Sequence, residues 1–124
     1  MIQSPEALEK IKSVTQQKFL HTSPTCFIVG SDASKGWVRE EDSMSFADVD
    51  ASIIATHIML AIQDEGLATT WIGNFSPEKI KEVFPMMKSY NLIAIFPVGY
   101  AEEDAKPSHL HTTRKNEEEF IETL

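Results

Sequence analysis

Between Asp50 and Phe75 the chain carries its longest run of apolar residues at helical spacing, DASIIATHIMLAIQDEGLATTWIGNF. Ile54, Ile58, Ala61 and Ile62 repeat on one face. Ile53, His57, Leu60 and Ala61 widen that stripe until it covers most of the circumference. The pattern predicts a long buried core helix rather than a helix draped on a surface. It has about four turns, short of the roughly 20 apolar residues that a membrane span requires, and Gln63, Asp64 and Glu65 close it with polar groups. Asp48 or Asp50 is placed to cap its N-terminus by accepting backbone N–H bonds. Gly66 is placed to take the left-handed conformation that ends it. His57, inside this helix, is expected to be a satisfied buried histidine. The helix runs into LATTWIGNFSPEK, a turn of small residues around Trp71, Ile72, Gly73 and Asn74, where Gly73 has no side chain to hold off a flat ligand.

The flanking pattern predicts the remaining elements. Ser4, Pro5 and Glu6 open a first helix with a cap, a residue suited to the first turn and an acidic charge. Leu8, Ile11 and Val14 give it a thin apolar side, and Phe19 and Leu20 end it against the core. Ser23-Pro24 breaks the chain, and TCFIVGS follows as a buried strand. Asp32 to Ala47 reads as a polar connection in which Trp37 seals the edge of the core and Arg39 pairs with Asp42 or Glu41. Ser76 and Pro77 start a short helix bearing Ile80, Val83 and Phe84, which Pro85 stops. NLIAIFPVGY is the second strong strand, with Pro97 marking an edge or a strand end. AEEDAKPSHLHTTRK is a polar excursion, and Asn116 with Glu119 forms a capping arrangement for a terminal helix, EEEFIETL. The order predicts an α+β fold with too few strands to complete a sheet alone, so that a partner chain completes the structure.

With 124 residues and 42% hydrophobic composition, the chain is expected to form one domain with a real core. The formal net charge of −8 argues against nucleic acid or an anionic membrane as partner, since both demand a basic patch. A single cysteine, Cys26, allows no intrachain disulfide. With no leader-like, lipidation-like or membrane-spanning pattern, the cytoplasm is the expected compartment. Cys26 has no activating partner nearby in sequence and reads as a small buried hydrophobe. No nucleophile motif, phosphate loop or dinucleotide fingerprint is present, and His21, His57, His109 and His111 do not form a metal-spaced set with Cys26. Enzymatic chemistry would therefore have to come from a cofactor that carries its own reactivity.

The segments ADVDASIIATHIMLAIQDEGLATTWIGNFSPEKIKEVFP and AIFPVGYAEEDAKPSHLHTTRK resemble the C-terminal part of the nitroreductase-like flavoprotein family. The likeness extends back through TSPTCFIVGSDASKGWVREED. The resemblance covers nearly the whole chain, and it is specific as a linear combination, which the WIGNF turn alone is not. It implies a nitroreductase-like α+β fold, an incomplete sheet flanked by helices and completed by homodimerisation, with FMN at the subunit interface. It implies an oxidoreductase that passes hydride from NAD(P)H to nitroaromatic, quinone or similar acceptors. It assigns Trp71, Ile72 and Gly73 to the isoalloxazine ring, with a backbone N–H of this turn near the flavin N5. It also assigns Arg114 and Lys115, with Lys106 as a weaker candidate, to the FMN phosphate.

Family members begin with an Arg-Arg-Ser-type motif that grips the phosphate, then an Asn-containing motif that meets the ring. Neither is present here. The expectation is a single domain over residues 1–124, N-terminally shortened, reading from the loop after the family's first strand. Each missing charge-assisted bond would forgo about 1.5–3 kcal/mol of flavin binding. The alternative reading is thus a non-catalytic dimeric remnant or binding module that has lost FMN.

Overall fold

In the computed structural model, which describes residues 1–123, helices lie on both faces of a small antiparallel sheet. Helix α1 (Pro5–Ser13) starts where the sequence predicts: Ser4 Oγ accepts from the Ala7 N–H at 3.2 Å, and Pro5 stands in the first turn. Leu8 and Ile11 turn inward. A separate short helix, α2 (Lys18–Thr22), buries Leu20 and leads into strand β1 (Thr25–Ser31). Helix α3 (Ala47–Asp64) is followed by the two-residue strand β2 (Ala68–Thr69), helix α4 (Pro77–Val83) and strand β3 (Asn91–Gly99).

The sheet order is β1-β3-β2, so β3 is central, and both its neighbours run antiparallel to it. Pro97 therefore lies within the central strand, two residues before its end, rather than on an edge. The register explains how it is tolerated. Ala68 faces Gly99, Thr69 faces Val98 and Ile72 faces Ile95, which brings Thr70 opposite Pro97. The missing proline N–H thus falls where the β2 ladder is interrupted. Ile2 bridges Cys26 along the outer side of β1, with backbone bonds of 2.8 and 3.1 Å.

Two apolar clusters occupy the two faces of the sheet. Ile2, Leu8, Ile11, Leu20, Cys26, Ile72, Ile80, Phe84 and Ile95 pack under α1, α2 and α4. Val29, Ala94, Phe96 and Val98 pack against Ala55 and Ile62 of α3. Helix α3 is covered on one side only. Ala47, Ala55 and Ile62 are buried, while Ile53, Ile54 and Leu60 are 50%, 54% and 57% exposed. His57 is exposed as well, against the expectation of a buried histidine. The apolar circumference is real, but the chain supplies a sheet for only one side of it.

The ends of α3 divide in the same way. Gly66 is left-handed (φ 71°), the Leu67 N–H bonds the Ile62 carbonyl at 3.1 Å and the Gly66 N–H bonds the Gln63 carbonyl at 3.0 Å, a Schellman closure as the sequence predicts. At the start, neither aspartate caps the helix; Phe46 occupies the cap position without a side-chain bond. The Asp48 carboxylate instead accepts from Ser31 Oγ at the end of β1 and from Asn91 Nδ2 at the start of β3, the latter at 2.7 Å.

The predicted terminal helix is reduced to a 3-10 turn at Glu117–Glu119. The Asn116–Glu119 capping pair does form, but every described residue from 101 onward is exposed, so there is no apolar contact to propagate a helix. Trp37 is 60% exposed and packs at a tilt against Phe46 with ring centroids 4.9 Å apart, rather than sealing the core. Among the described residues no helix is long and apolar enough to cross a membrane.

Candidate functional site

The WIGNF turn is a continuation of the sheet. Ile72 exchanges both backbone hydrogen bonds with Ile95, each 3.0 Å, and its side chain is buried in the cluster under α1 and α4. In an antiparallel ladder successive residues turn their backbone groups to opposite sides. Trp71 and Gly73 accordingly direct theirs away from β3, and their N–H groups have no backbone partner among the described residues. The Trp71 indole meets the Phe96 ring edge-on at 5.2 Å, which fixes its direction while leaving part of its surface open. A Cβ at Gly73 would meet only that indole, at 3.7 Å or more. The edge therefore offers free donors beside an aromatic wall with open space above the glycine.

Asn74 follows, its carbonyl accepting from Gln17 Nε2 at 2.6 Å, and Phe75 returns to the core. In the other direction, Thr69 and Thr70 line a cleft of about 690 Å³ with Phe19, Pro24, Tyr100 and Lys106. Thr69 Oγ1 is buried without a hydrogen-bond partner among the described residues. An orphaned hydroxyl next to a lysine-bearing cleft is suited to a polar ligand group that completes its bonding.

Of the residues singled out from sequence, the structure joins Trp71, Ile72 and Gly73 in one strand edge and sets Lys106 in the cleft continuous with it. It does not bring Arg114 and Lys115 there. Both lie on the exposed C-terminal segment, where Arg114 Nη1 donates to the Thr113 carbonyl at 2.8 Å and neither forms an ion pair among the described residues. Among the described residues their charge is uncommitted. Arg39 is the opposite case. Its guanidinium makes a two-pronged bond to Asp42, which lowers the Asp42 carboxyl below its ordinary value and raises Arg39, and it also lies 5.5 Å over the Phe46 ring. It is held as a brace for the 37–46 hairpin and is not free for a ligand.

Cys26 is fully buried, and burial pushes its thiol up to about 11, so it is protonated and unreactive at neutral pH. His109 and His111 stand in an exposed 3-10 turn, and the described residues contain no cluster able to hold a metal. Sequence reasoning missed Gln17 and Thr69. One of two adjacent glutamines between two helices and a threonine in a small-residue run carry no periodic signal; only the register and the long-range hydrogen bond reveal them.

The sequence profile of the nitroreductase family matches residues 1–100. A nitroreductase family protein from Clostridium difficile 630 is 30% identical over 99% of this chain and superposes with a TM-score of 0.81. The chain belongs to the nitroreductase family. Two more distant structures share the nitroreductase fold. A Staphylococcus epidermidis protein described as an NAD(P)H:FMN oxidoreductase is 22% identical over 99% of the chain, with a TM-score of 0.77. A protein from Exiguobacterium sibiricum, described as a nitroreductase and solved in complex with FMN, is 19% identical over 99% of the chain, with a TM-score of 0.76. This nitroreductase family chain spans 72%, 73% and 74% of those three chains respectively. No curated protein matches it by sequence.

Proposed function

We propose that the protein is an FMN-dependent oxidoreductase that passes a hydride from NAD(P)H to a nitroaromatic, quinone or related acceptor. The observation that carries this reading is the strand edge at Trp71–Gly73, where backbone donors, an aromatic wall and a side-chain-free position converge in a member of this family. Those features fit a planar heteroaromatic ring. The buried Thr69 hydroxyl and Lys106 fit the polar chain and phosphate that such a ring carries in FMN. Arg114 and Lys115 supply charge that a dianion attracts in an otherwise acidic protein.

When bound, FMN supplies a two-electron carrier between a nicotinamide donor and the acceptor. The chain's part is to bind and orient it. The N–H groups of Trp71 and Gly73 act as fixed donors to ring acceptor atoms, Trp71 limits access of water on one side, and Gly73 permits close approach. A fixed donor at a site where negative charge develops stabilises it without reorganisation at the moment of reaction.

The exposed face of α3 supports a second part of the reading. The protein pairs with another copy of itself through Ile53, Ile54 and Leu60, and the C-terminal segment carrying Arg114 and Lys115 serves a site shared between the two subunits.

The position of Arg114 and Lys115 outside the cleft favours one alternative, a dimeric module of the same fold that no longer holds FMN. A flavin titration separates the two. Saturable quenching of FMN fluorescence, with a visible absorption band that persists through gel filtration, is the expected result. A colourless protein that leaves the fluorescence unchanged would establish the alternative.

A further inference from the structure

Gln17 sits at the N-cap position of α2, yet its side chain makes no capping bond. Its amide instead crosses to the WIGNF turn, where Nε2 donates to the Asn74 carbonyl at 2.6 Å across 57 positions of sequence. The bond spans a cavity of about 380 Å³ between residues 13–17 and 74–79. The backbone before it is held by the Oγ1 of buried Thr15, which donates to the Ile11 carbonyl at 2.9 Å. The amide cannot be turned over without setting Oε1 against the Asn74 carbonyl, and as placed Oε1 is buried with no partner among the described residues. A buried acceptor left unmade costs at least as much as one neutral hydrogen bond contributes. The contact therefore does little for folding stability, and its effect is geometric.

Its target gives that geometry a purpose. Ile72 is pinned to Ile95 by two bonds, and Phe75 is anchored in the core. Between them lie Gly73, the residue with most backbone freedom, and Asn74. The Gln17 bond fixes the plane of the peptide that follows Asn74, so that Gly73, whose N–H is one of the two donors assigned to the flavin ring, is held between one anchor at Ile72 and another at Asn74.

We infer that Gln17 is a positioning residue that holds the Gly73 backbone, from its Asn74 side, where a flavin ring approaches it. The inference rests on the flavin reading above. It is distinct from that reading because Gln17 touches the turn and not the ligand.

Gln17→Met tests it, since Met keeps the length and volume of the side chain and has no strong donor or acceptor. The expected result is a melting temperature within about 2 °C of wild type, together with moved or broadened Gly73 and Asn74 amide resonances in the flavin-free protein. The FMN dissociation constant should rise by about tenfold, the effect of loosening one well-placed contact to the ring, and the flavin reduction potential should shift. A purely structural role would leave the potential where it was. If wild type binds FMN and the variant shows an unmoved potential or unmoved amide resonances, the inference fails while the flavin reading stands. If wild type takes up no FMN, the flavin reading fails and the inference with it, a result the first titration reveals on its own. Should Gln17→Met not fold, Gln17→Asn decides the question, because it keeps the amide and withdraws the donor by one methylene.

Discussion

At Gly73 the chain is held in place from both sides yet open above. The residue has no positive φ, and an added Cβ would touch only the Trp71 indole at ordinary contact distance. Gly36 differs, because there a Cβ would fall 2.6 Å from the Ala47 Cβ. The glycine at 73 is therefore not required by the fold, and any need for it arises from what approaches it. Gly73→Ala is expected to change unfolding free energy by no more than about 0.5 kcal/mol, the usual range for a substitution that meets no packing or strain. It should weaken FMN at least roughly tenfold if the ring lies against that position, as a displaced contact of about 1.4 kcal/mol would do. Urea denaturation and fluorescence titration of the same preparation check both halves. Unchanged affinity would move the ring away from Gly73.

Asp48 shows where sequence reading reaches its limit at the scale of elements. Its position before an apolar run suggested a helix cap, a local interaction that sequence can display. Its actual partners, Ser31 and Asn91, lie 17 and 43 residues away and join the start of α3 to the ends of β1 and β3. Nothing in the local pattern points to them. The elements whose signals are local were legible: the Ser4 and Ser76 caps, the Gly66 closure and the strands at Thr25–Ser31 and Asn91–Gly99. Strand β2 was not, because two residues carry no alternation; it exists because β3 offers them an edge. The candidate site divides along the same line. Trp71 to Gly73 were named by the family resemblance and by the bare backbone at Gly73, whereas the tie from Gln17 and the cleft between Thr69 and Lys106 are products of the tertiary structure. Asp48→Ala would leave the buried Ser31 hydroxyl without its acceptor and free the N-terminus of α3. The expected loss is about 1.5–3 kcal/mol, the range for hydrogen bonds to a charged group, toward the lower end because Asp48 is itself exposed. Denaturant unfolding of the variant measures it, and a change within error would show that the carboxylate is a solvated bystander.

For the whole molecule the decisive fact is the uncovered side of α3. Val49, Ile53, Ile54 and Leu60 are exposed along one helix whose other side is sealed against the sheet, and Ile53 also lines a shallow hollow with Asp48, Ser52 and Thr56. Apolar surface concentrated on one helix face is a mark of an interaction site on a protein that stays in solution. A second copy presents the same stripe about a two-fold axis and needs no further component. We expect a homodimer with a total interface above roughly 2,000 Å², the size typical of obligate pairs. Ile54→Glu would place a charge within that contact, where burying it unpaired costs several kcal/mol. Wild type should sediment at about twice the chain mass at low micromolar concentration, where a dimer of nanomolar affinity is fully formed. The variant should be monomeric, or aggregated through the remaining stripe. The same variant bears on the flavin. If Arg114 and Lys115 serve a site shared between subunits, FMN affinity falls with the dimer even though residue 54 lies outside the Trp71–Gly73 edge. A monomeric variant that retains wild-type FMN affinity would place the flavin within one chain, and Lys106 rather than the exposed pair would then be the cation that holds its phosphate.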